Sequence, residues 1–187
     1  MITPHPAVCR LLIEAGQVVN YGSGTLIKRD GDRCAILTCA HLFLAGRVET
    51  VTACFPYAPF LRVHLHAISR DCDLAILTAD SGAADLPTIT QPVELAPRTP
   101  RPGEGLFWSG YNTRGEIRMH SGTLRGYCRL SRAEGCCMMA LNGIAEDGNS
   151  GGPIFTKDGK LAGVIWGTDD ASAYGTWAGN IRPVTDL

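Results

Sequence analysis

The sequence predicts an all-β protein built from two six-stranded antiparallel barrels that pack side by side. Glycine and proline account for 22 and 11 of the 187 residues, which is typical of short strands joined by tight turns. Long stretches of Ala, Leu, Glu and Lys at helical spacing are missing, whereas short runs with β-type patterning recur between turn residues. We therefore expect one compact unit whose functional site lies in the groove between the barrels.

The first barrel is predicted over residues 1–79. Its strands are short apolar or alternating runs, bounded by turn sequences such as Arg29-Asp30-Gly31. Six candidate strands follow one another here: 8–13, 21–28, 34–38, 48–55, 61–68 and 73–78.

Residues 80–103 are predicted to link the barrels, and residues 104–187 to form the second. Proline recurs in the linker, and it interrupts any strand ladder because it has no backbone N–H. Six more candidate strands follow: 105–111, 117–124, 137–141, 153–156, 161–166 and 175–181. A set of six short strands can close on itself and so remove its exposed edges.

Charge and hydropathy exclude several classes of partner. The 17 basic and 18 acidic side chains nearly cancel, so no global field points to nucleic acid or to an anionic membrane. No segment approaches the roughly 20 apolar residues that cross a bilayer, and the first residues lack the layout of a secretory signal. We expect a cytoplasmic protein that binds neither nucleic acid nor membrane.

The eight cysteines are expected to be reduced and mostly buried. Cys136 and Cys137 are adjacent, and no Cys or His pair has the spacing of a structural zinc site. A disulfide framework is typical of small exported chains, and neither condition is met by this sequence. We therefore predict free thiols, with no metal and no cofactor.

The strongest local motif is Gly148-Asn149-Ser150-Gly151-Gly152-Pro153, which places a serine in a glycine-rich turn just before a strand. Such a turn can aim the N–H groups of Gly148 and Ser150 at one point, as a developing oxyanion requires. On its own the motif is equally consistent with an ordinary turn.

The order of the candidate residues along the chain excludes one class of serine hydrolase. An α/β-hydrolase needs a histidine after its serine, yet every histidine precedes Ser150. The order His, Asp, Ser remains, with His41 at the end of an apolar strand and Asp73 at the head of another. The histidines are His5, His41, His64, His66 and His120.

Four segments together resemble the trypsin-like and chymotrypsin-like serine peptidases, and within them the bacterial HtrA-like and glutamyl-endopeptidase-like members most. They are Gly22-Ser23-Gly24-Thr25-Leu26-Ile27, Leu37-Thr38-Cys39-Ala40-His41, Asp71-Cys72-Asp73-Leu74-Ala75-Ile76 and Gly148-Asn149-Ser150-Gly151-Gly152-Pro153. The resemblance implies the same two-barrel fold, a peptide or protein substrate, and an endopeptidase reaction through an acyl-enzyme.

The resemblance also implies roles for individual residues. His41 would be the general base, Ser150 the nucleophile, and the Gly148 and Ser150 N–H groups the oxyanion hole. Asp73 is preferred to Asp71 as the residue that orients His41, because the family's carboxylate directly precedes the Leu-Ala-Ile stretch. The chain lacks the freed Ile-Val-Gly-Gly terminus of the digestive enzymes, so we expect no activation by propeptide cleavage.

The specificity pocket is less defined. The resemblance places its base at Ile144 and its walls on β-type segments near Ser150, which favours a small or medium apolar residue before the scissile bond. Acidic residues in nearby loops would instead favour a basic residue; they are Glu146, Asp147, Asp169 and Asp170. The expected walls are Ile165, Trp166, Gly167 and Thr168 on one side and Gly175, Thr176 and Trp177 on the other.

Two other functions remain open at this point. The chain could be a catalytically silent module of this fold that binds a peptide or partner protein, or a viral-type processing protease. HtrA-like proteins usually carry a peptide-binding domain after the protease, so a regulatory domain or partner outside this chain is also possible.

Overall fold

The computed structural model describes residues 5–44, 46–129, 136–169 and 171–181. In these residues twelve strands form two closed six-stranded antiparallel barrels, which confirms the predicted fold class. The first barrel contains β1 (Val8–Ala15), β2 (Val18–Asp30), β3 (Arg33–Thr38), β4 (Thr50–Cys54), β5 (Phe60–Ser69) and β6 (Leu74–Ala79). The second contains β7 (Gly105–Tyr111), β8 (Ile117–Arg129), β9 (Cys137–Asn142), β10 (Pro153–Phe155), β11 (Leu161–Thr168) and β12 (Ser172–Trp177).

Each barrel closes through one pairing between strands distant in sequence. The order around the first barrel is β1-β2-β3-β6-β5-β4, and β1 closes it on β4 with Leu11 opposite Ala53. The order around the second is β10-β11-β12-β9-β8-β7, and β10 closes it on β7 with Ile154 opposite Trp108. Closure leaves no unpaired strand edge in either sheet.

Burial follows the strand pattern. Apolar residues of β3 and β6 are buried in succession, and these strands pair directly in the first barrel. Trp108 fills the second core, and its indole N–H donates to Ile144 O at 2.9 Å. That bond satisfies the one polar atom of an otherwise apolar side chain.

The connector between the barrels is held by specific contacts. The Arg29 guanidinium on β2 donates to the carbonyl oxygens of Leu86, Pro87 and Thr90 at 2.9, 3.2 and 3.1 Å. Further along, Leu95 forms an isolated parallel bridge with Leu161 of β11. The proline-rich segment is therefore fixed to both barrels rather than hanging between them.

One predicted strand is wrong in part. The segment expected as 175–181 begins earlier, at Ser172, and turns into a short helix, α1 (Ala178–Ile181). The Asn180 side chain keeps this segment paired with β9. Its amide group donates to Cys137 O at 2.7 Å, and its Oδ1 accepts from the Cys137 N–H at 3.4 Å. The side chain replaces the backbone ladder beyond Trp177.

Within the described ranges, no helix is both long and apolar enough to span a bilayer.

Candidate active site

His41 and Asp73 come from the first barrel and lie against each other. His41 begins a 3₁₀ turn, His41–Phe43, shortly after β3 ends at Thr38. Its Nδ1 lies 2.7 Å from Asp73 Oδ2, and its backbone N–H donates to Asp73 Oδ1, also at 2.7 Å. A neutral imidazole held in this way carries its proton on Nδ1 and leaves Nε2 as an acceptor.

Asp73 adopts a left-handed backbone conformation, with φ at 50°. Its N–H donates to Arg70 O at 3.3 Å and closes a turn just before β6. Among non-glycine residues, Asp and Asn enter this region most readily because their short polar side chains bond locally. Asp71, the rival acid, is exposed two residues earlier.

Ser150 lies in the second barrel, in the glycine-rich turn before β10. Gly148 and Gly151 have φ values of 93° and 90°, which glycine adopts without strain. A Cβ on Gly148 would lie 2.7 Å from Tyr111 O, so a larger residue does not fit. The buried Asn149 side chain donates to the same carbonyl at 3.3 Å and fixes the turn on β7.

Two backbone N–H groups of this turn are left without an acceptor. Within the described part of the chain, neither the Gly148 N–H nor the Ser150 N–H donates a hydrogen bond, whereas those of Asn149, Gly151 and Gly152 do. Donors held in place and unpaired are suited to a ligand oxygen that carries negative charge.

Ser23 on β2 ties this turn to the first barrel. Its N–H donates to Ser150 O at 2.8 Å, and its hydroxyl donates to Gly148 O at 2.8 Å while accepting from the Tyr111 N–H at 2.8 Å. Ser23 O in turn accepts from the Thr38 hydroxyl at 2.7 Å. Sequence reasoning assigned Ser23 no role, although a small polar residue between two glycines within a strand signals close backbone approach.

Ile165 O joins the two halves of the site at one atom. It accepts from the Gly151 N–H at 2.8 Å and from the Cys39 thiol at 3.1 Å. Gly151 follows Ser150 directly, and Cys39 lies two residues before His41. Ile165 O therefore links the serine turn to the segment that leads to His41.

Seven of the eight residues predicted to form the substrate pocket lie on β11 and β12. Ile165 is buried and pairs with Gly175. Ile144 precedes β10 and is 53% exposed, and the next residue, Ala145, donates its N–H to Thr168 Oγ1 at 3.3 Å. The predicted set is Ile144, Ile165, Trp166, Gly167, Thr168, Gly175, Thr176 and Trp177.

The two tryptophans of this set differ in their surroundings. Trp166 is half-buried and stacks on Tyr174, with ring centroids 5.7 Å apart, and its carbonyl accepts from Ser150 Oγ at 3.3 Å. Trp177 packs edge-on against Tyr127 at 6.0 Å and contributes to the cores of both barrels. Trp166 is thus the nearer of the two to the serine.

The prediction of eight free thiols is wrong, because Cys72 and Cys136 form a disulfide. The bond joins the Asp73 turn of the first barrel to the residue before β9 of the second, across 64 positions of sequence. The Thr176 hydroxyl also donates to Cys72 O at 2.7 Å. The pairing of two cysteines so distant in sequence depends on how the barrels dock, and the spacing of cysteines along the chain does not predict that docking.

The other six cysteines are free. Cys39 is fully buried beside Asp73, and burial raises the pKa of its thiol well above the ordinary value, with the Asp73 charge as a further cause. Among the described residues, Cys39, His41 and Asp73 form the one group whose ligand atoms are close enough to hold a metal ion, all within 4.8 Å of one another.

The solved structures to which the chain is similar include proteases of this fold. The chain is similar to the Rv3671c protease from M. tuberculosis in its active form, with a TM-score of 0.81 and 23% identity over 96% of this chain and 79% of that one. It is similar to a serine endoprotease from Yersinia pestis, with a TM-score of 0.79 and 20% identity over 97% and 62% of the two chains. The HtrA-type protease AlgW, solved with a tripeptide, gives a TM-score of 0.80 and 19% identity over 96% and 59%.

No curated protein sequence matches the chain. The profile of the trypsin-like peptidase domain, in contrast, matches residues 22–164, which include the His41, Asp73 and Ser150 segments. The chain therefore belongs to the trypsin-like peptidase family and is a serine endopeptidase.

Proposed function

We propose that the chain cleaves peptide bonds through a triad of Ser150, His41 and Asp73 and a covalent acyl-enzyme. The observation that carries this is the pair of 2.7 Å contacts by which Asp73 holds both the backbone and the ring of His41. A serine hydroxyl is a poor nucleophile at neutral pH and needs an adjacent base with a free acceptor nitrogen. Asp73 provides that by fixing the Nδ1–H tautomer.

The first half of the reaction forms the acyl-enzyme. Ser150 Oγ turns from the Trp166 carbonyl towards His41 Nε2, transfers its proton there, and attacks the scissile carbonyl carbon. The Gly148 and Ser150 N–H groups bind the resulting oxyanion, and one such donor is worth about 2.7–4 kcal/mol of barrier. His41 then protonates the leaving amine.

The second half reverses these roles with water. His41 takes a proton from a water molecule as the water attacks the acyl carbonyl, and it returns the proton to Ser150 Oγ. The acid product leaves, and the enzyme is regenerated. No cofactor takes part in these steps.

We further propose a preference for a small or medium apolar residue before the scissile bond, since Ile144 offers no charge to pair with Lys or Arg. Two of the acids considered as alternatives are already engaged: Glu146 with Arg118 at 3.4 Å, and Asp169 with the Tyr174 hydroxyl at 2.7 Å. That last hydrogen bond is the main cause that lowers the Asp169 pKa. Asp170 lies outside the described residues.

The test is labelling with a fluorophosphonate probe combined with a cleavage profile on a peptide library. We expect Ser150 to be labelled, and Ser150→Ala to lose both labelling and cleavage while Ser121→Ala, an exposed serine on β8, keeps both. Unlabelled Ser150 in folded protein would instead favour the silent binding module, for which the Ser150–Trp166 hydrogen bond is the one suggestive feature.

The cytoplasmic location and a regulatory partner outside this chain remain predictions. The Cys72–Cys136 disulfide argues against the first, because such bonds persist mainly in oxidising compartments. Cell fractionation, with free thiols alkylated at lysis, tests both the location and the redox state there. Co-purification of a binding protein with Ser150→Ala, which cannot release its substrate as product, tests the second.

A further inference from the structure

Cys39 is a buried thiol that the proposed reaction does not use. It follows β3 directly, is 0% exposed, and donates to Ile165 O at 3.1 Å. Its side chain belongs to the core of the first barrel and also lies within 4.8 Å of ligand atoms of His41 and Asp73. The position therefore places a soft metal ligand next to two others.

The three side chains form a compact donor set. One ligand atom each from Cys39, His41 and Asp73 lies within 4.8 Å of the other two, and His41 Nδ1 is 2.7 Å from Asp73 Oδ2. The His41 side chain is 41% exposed, so an ion can reach the set from the groove. Thiolate, imidazole and carboxylate are all zinc ligands, and three of them with a water complete a tetrahedron.

We propose that Cys39, His41 and Asp73 form an inhibitory zinc site at the base of the active site. The inhibitory part of this inference rests on the proposed function, whereas the binding part does not. The thiolate and the carboxylate carry two negative charges together, which neutralise Zn²⁺ where Cys39 is buried and the Asp73 side chain is 18% exposed.

The binding step balances without any redox change. Zn²⁺ forms a bond to Cys39 Sγ, and the thiol proton is released to solvent. The lone pair of His41 Nδ1 binds the ion, and the ring proton moves to Nε2. The ion replaces the direct contact between His41 Nδ1 and Asp73 Oδ2, and one carboxylate oxygen of Asp73 coordinates it.

Inhibition follows from that change of tautomer. With the proton on Nε2, His41 presents a donor to Ser150 and no longer an acceptor, so it cannot remove the hydroxyl proton. A chelator should restore the acceptor by removing the ion. Zinc would thus switch off the base without blocking access to the serine.

Binding is tested first, in the Ser150→Ala protein, so that the result does not depend on activity. Calorimetric titration with Zn²⁺ should give one site, and Co²⁺ should give thiolate-to-cobalt charge-transfer absorption. In the same protein, a second substitution, Cys39→Ala or Cys39→Ser, should abolish that absorption. It should also lower the affinity for Zn²⁺ by at least about 10-fold, since even loss of an outer-shell partner costs 10–100-fold in metal affinity. The matched control is Cys9→Ala, another fully buried free thiol, which should leave both signals unchanged.

Inhibition is tested second, on cleavage by the wild-type protein. At ten times its dissociation constant, Zn²⁺ should lower the rate about 11-fold, with full recovery in EDTA. Each Cys39 variant is compared with its own metal-free rate. It should need a zinc concentration at least about 10-fold higher for the same fractional inhibition. Equal zinc binding in Ser150→Ala with and without Cys39 overturns the site, and so does binding without a thiolate band. Absent cleavage with intact binding would count against the proposed function alone.

Discussion

At the scale of single residues, the backbone of Asp73 matters as much as its carboxylate. The left-handed turn brings both oxygens onto His41, one on the backbone N–H and one on the ring. An asparagine can adopt the same φ and keep part of this geometry. An asparagine at position 73 can therefore test the effect of the carboxylate charge on the His41 tautomer while the backbone turn is kept.

The Asp73→Asn variant should fold normally and lose about 10⁴-fold in kcat, because the amide stabilises the wrong imidazole tautomer. Asp71→Asn is the matched control, since Asp71 is an exposed acid two residues away, and its kcat should change little. Steady-state kinetics on one cleaved peptide measures both. A large loss in Asp71→Asn with a small one in Asp73→Asn would exchange their roles.

Ser23→Ala should lower the free energy of unfolding by about 1–3 kcal/mol, because it leaves Gly148 O and the Tyr111 N–H without their partner. Thr25→Val on the same strand is the control. The Thr25 hydroxyl is buried and has no partner among the described residues, so its removal should be nearly neutral. Chemical denaturation measures the two variants, and equal losses would show that Ser23 contributes only packing.

At the scale of elements, strands were predictable where apolar patterning was local and turns were marked. The segment 34–38 begins with four consecutive apolar residues and ends at Thr38, and the structure has β3 as Arg33–Thr38. The change from β12 to α1 was not predictable, because it depends on the Asn180 side chain meeting Cys137 of β9. The motif residues His41 and Asp73 lie in direct contact, and Ser150 as their partner stays a prediction. The roles of Ser23 and of the Cys72–Cys136 bond depend on contacts between barrels, which the sequence pattern does not show.

The Cys72–Cys136 bond should make stability sensitive to reductant, contrary to the expectation from sequence. A closed loop of this length adds about 3–5 kcal/mol, so millimolar dithiol should lower the melting temperature and the activity together. Cys72→Ser/Cys136→Ser should show the lower melting temperature with or without dithiol. Cys128→Ser, which removes an exposed free thiol, should behave as wild type. An unchanged melting temperature on reduction would mean that the bond does not form in solution.

At the scale of the whole molecule, the contact between the two barrels includes a tyrosine that tolerates little added charge. Tyr111 belongs to β7 of the second barrel and packs against the core of the first. Burial raises its pKa to about 12, and burial likewise raises the pKa of Tyr127 to about 12. Ionisation of either phenol would place charge in a partly buried setting.

Stability should therefore fall at alkaline pH. For a group whose pKa rises on folding, the contribution is complete below the unfolded value, near 10, and is lost as pH rises towards 12. Tyr111→Phe should lose less free energy of unfolding than wild type between neutral pH and about pH 11. Tyr57→Phe, at a residue that is 81% exposed, should lose as much as wild type. Denaturation curves at both pH values decide between these outcomes.

The hydrogen bonds from Ser23 to the Ser150 turn also bear on how a protease avoids destroying its own precursor. During synthesis the ribosome delivers β2, His41 and Asp73 long before Ser150, and β11, whose Ile165 and Trp166 carbonyls receive the serine turn, emerges later still. Under the proposed mechanism, a nascent chain has a base with no positioned nucleophile, and afterwards a serine whose turn has no first-barrel partner until the barrels dock. Under that mechanism, peptide cleavage begins only after the chain has buried its own susceptible bonds in folded strands, so the same folding step both activates and protects it.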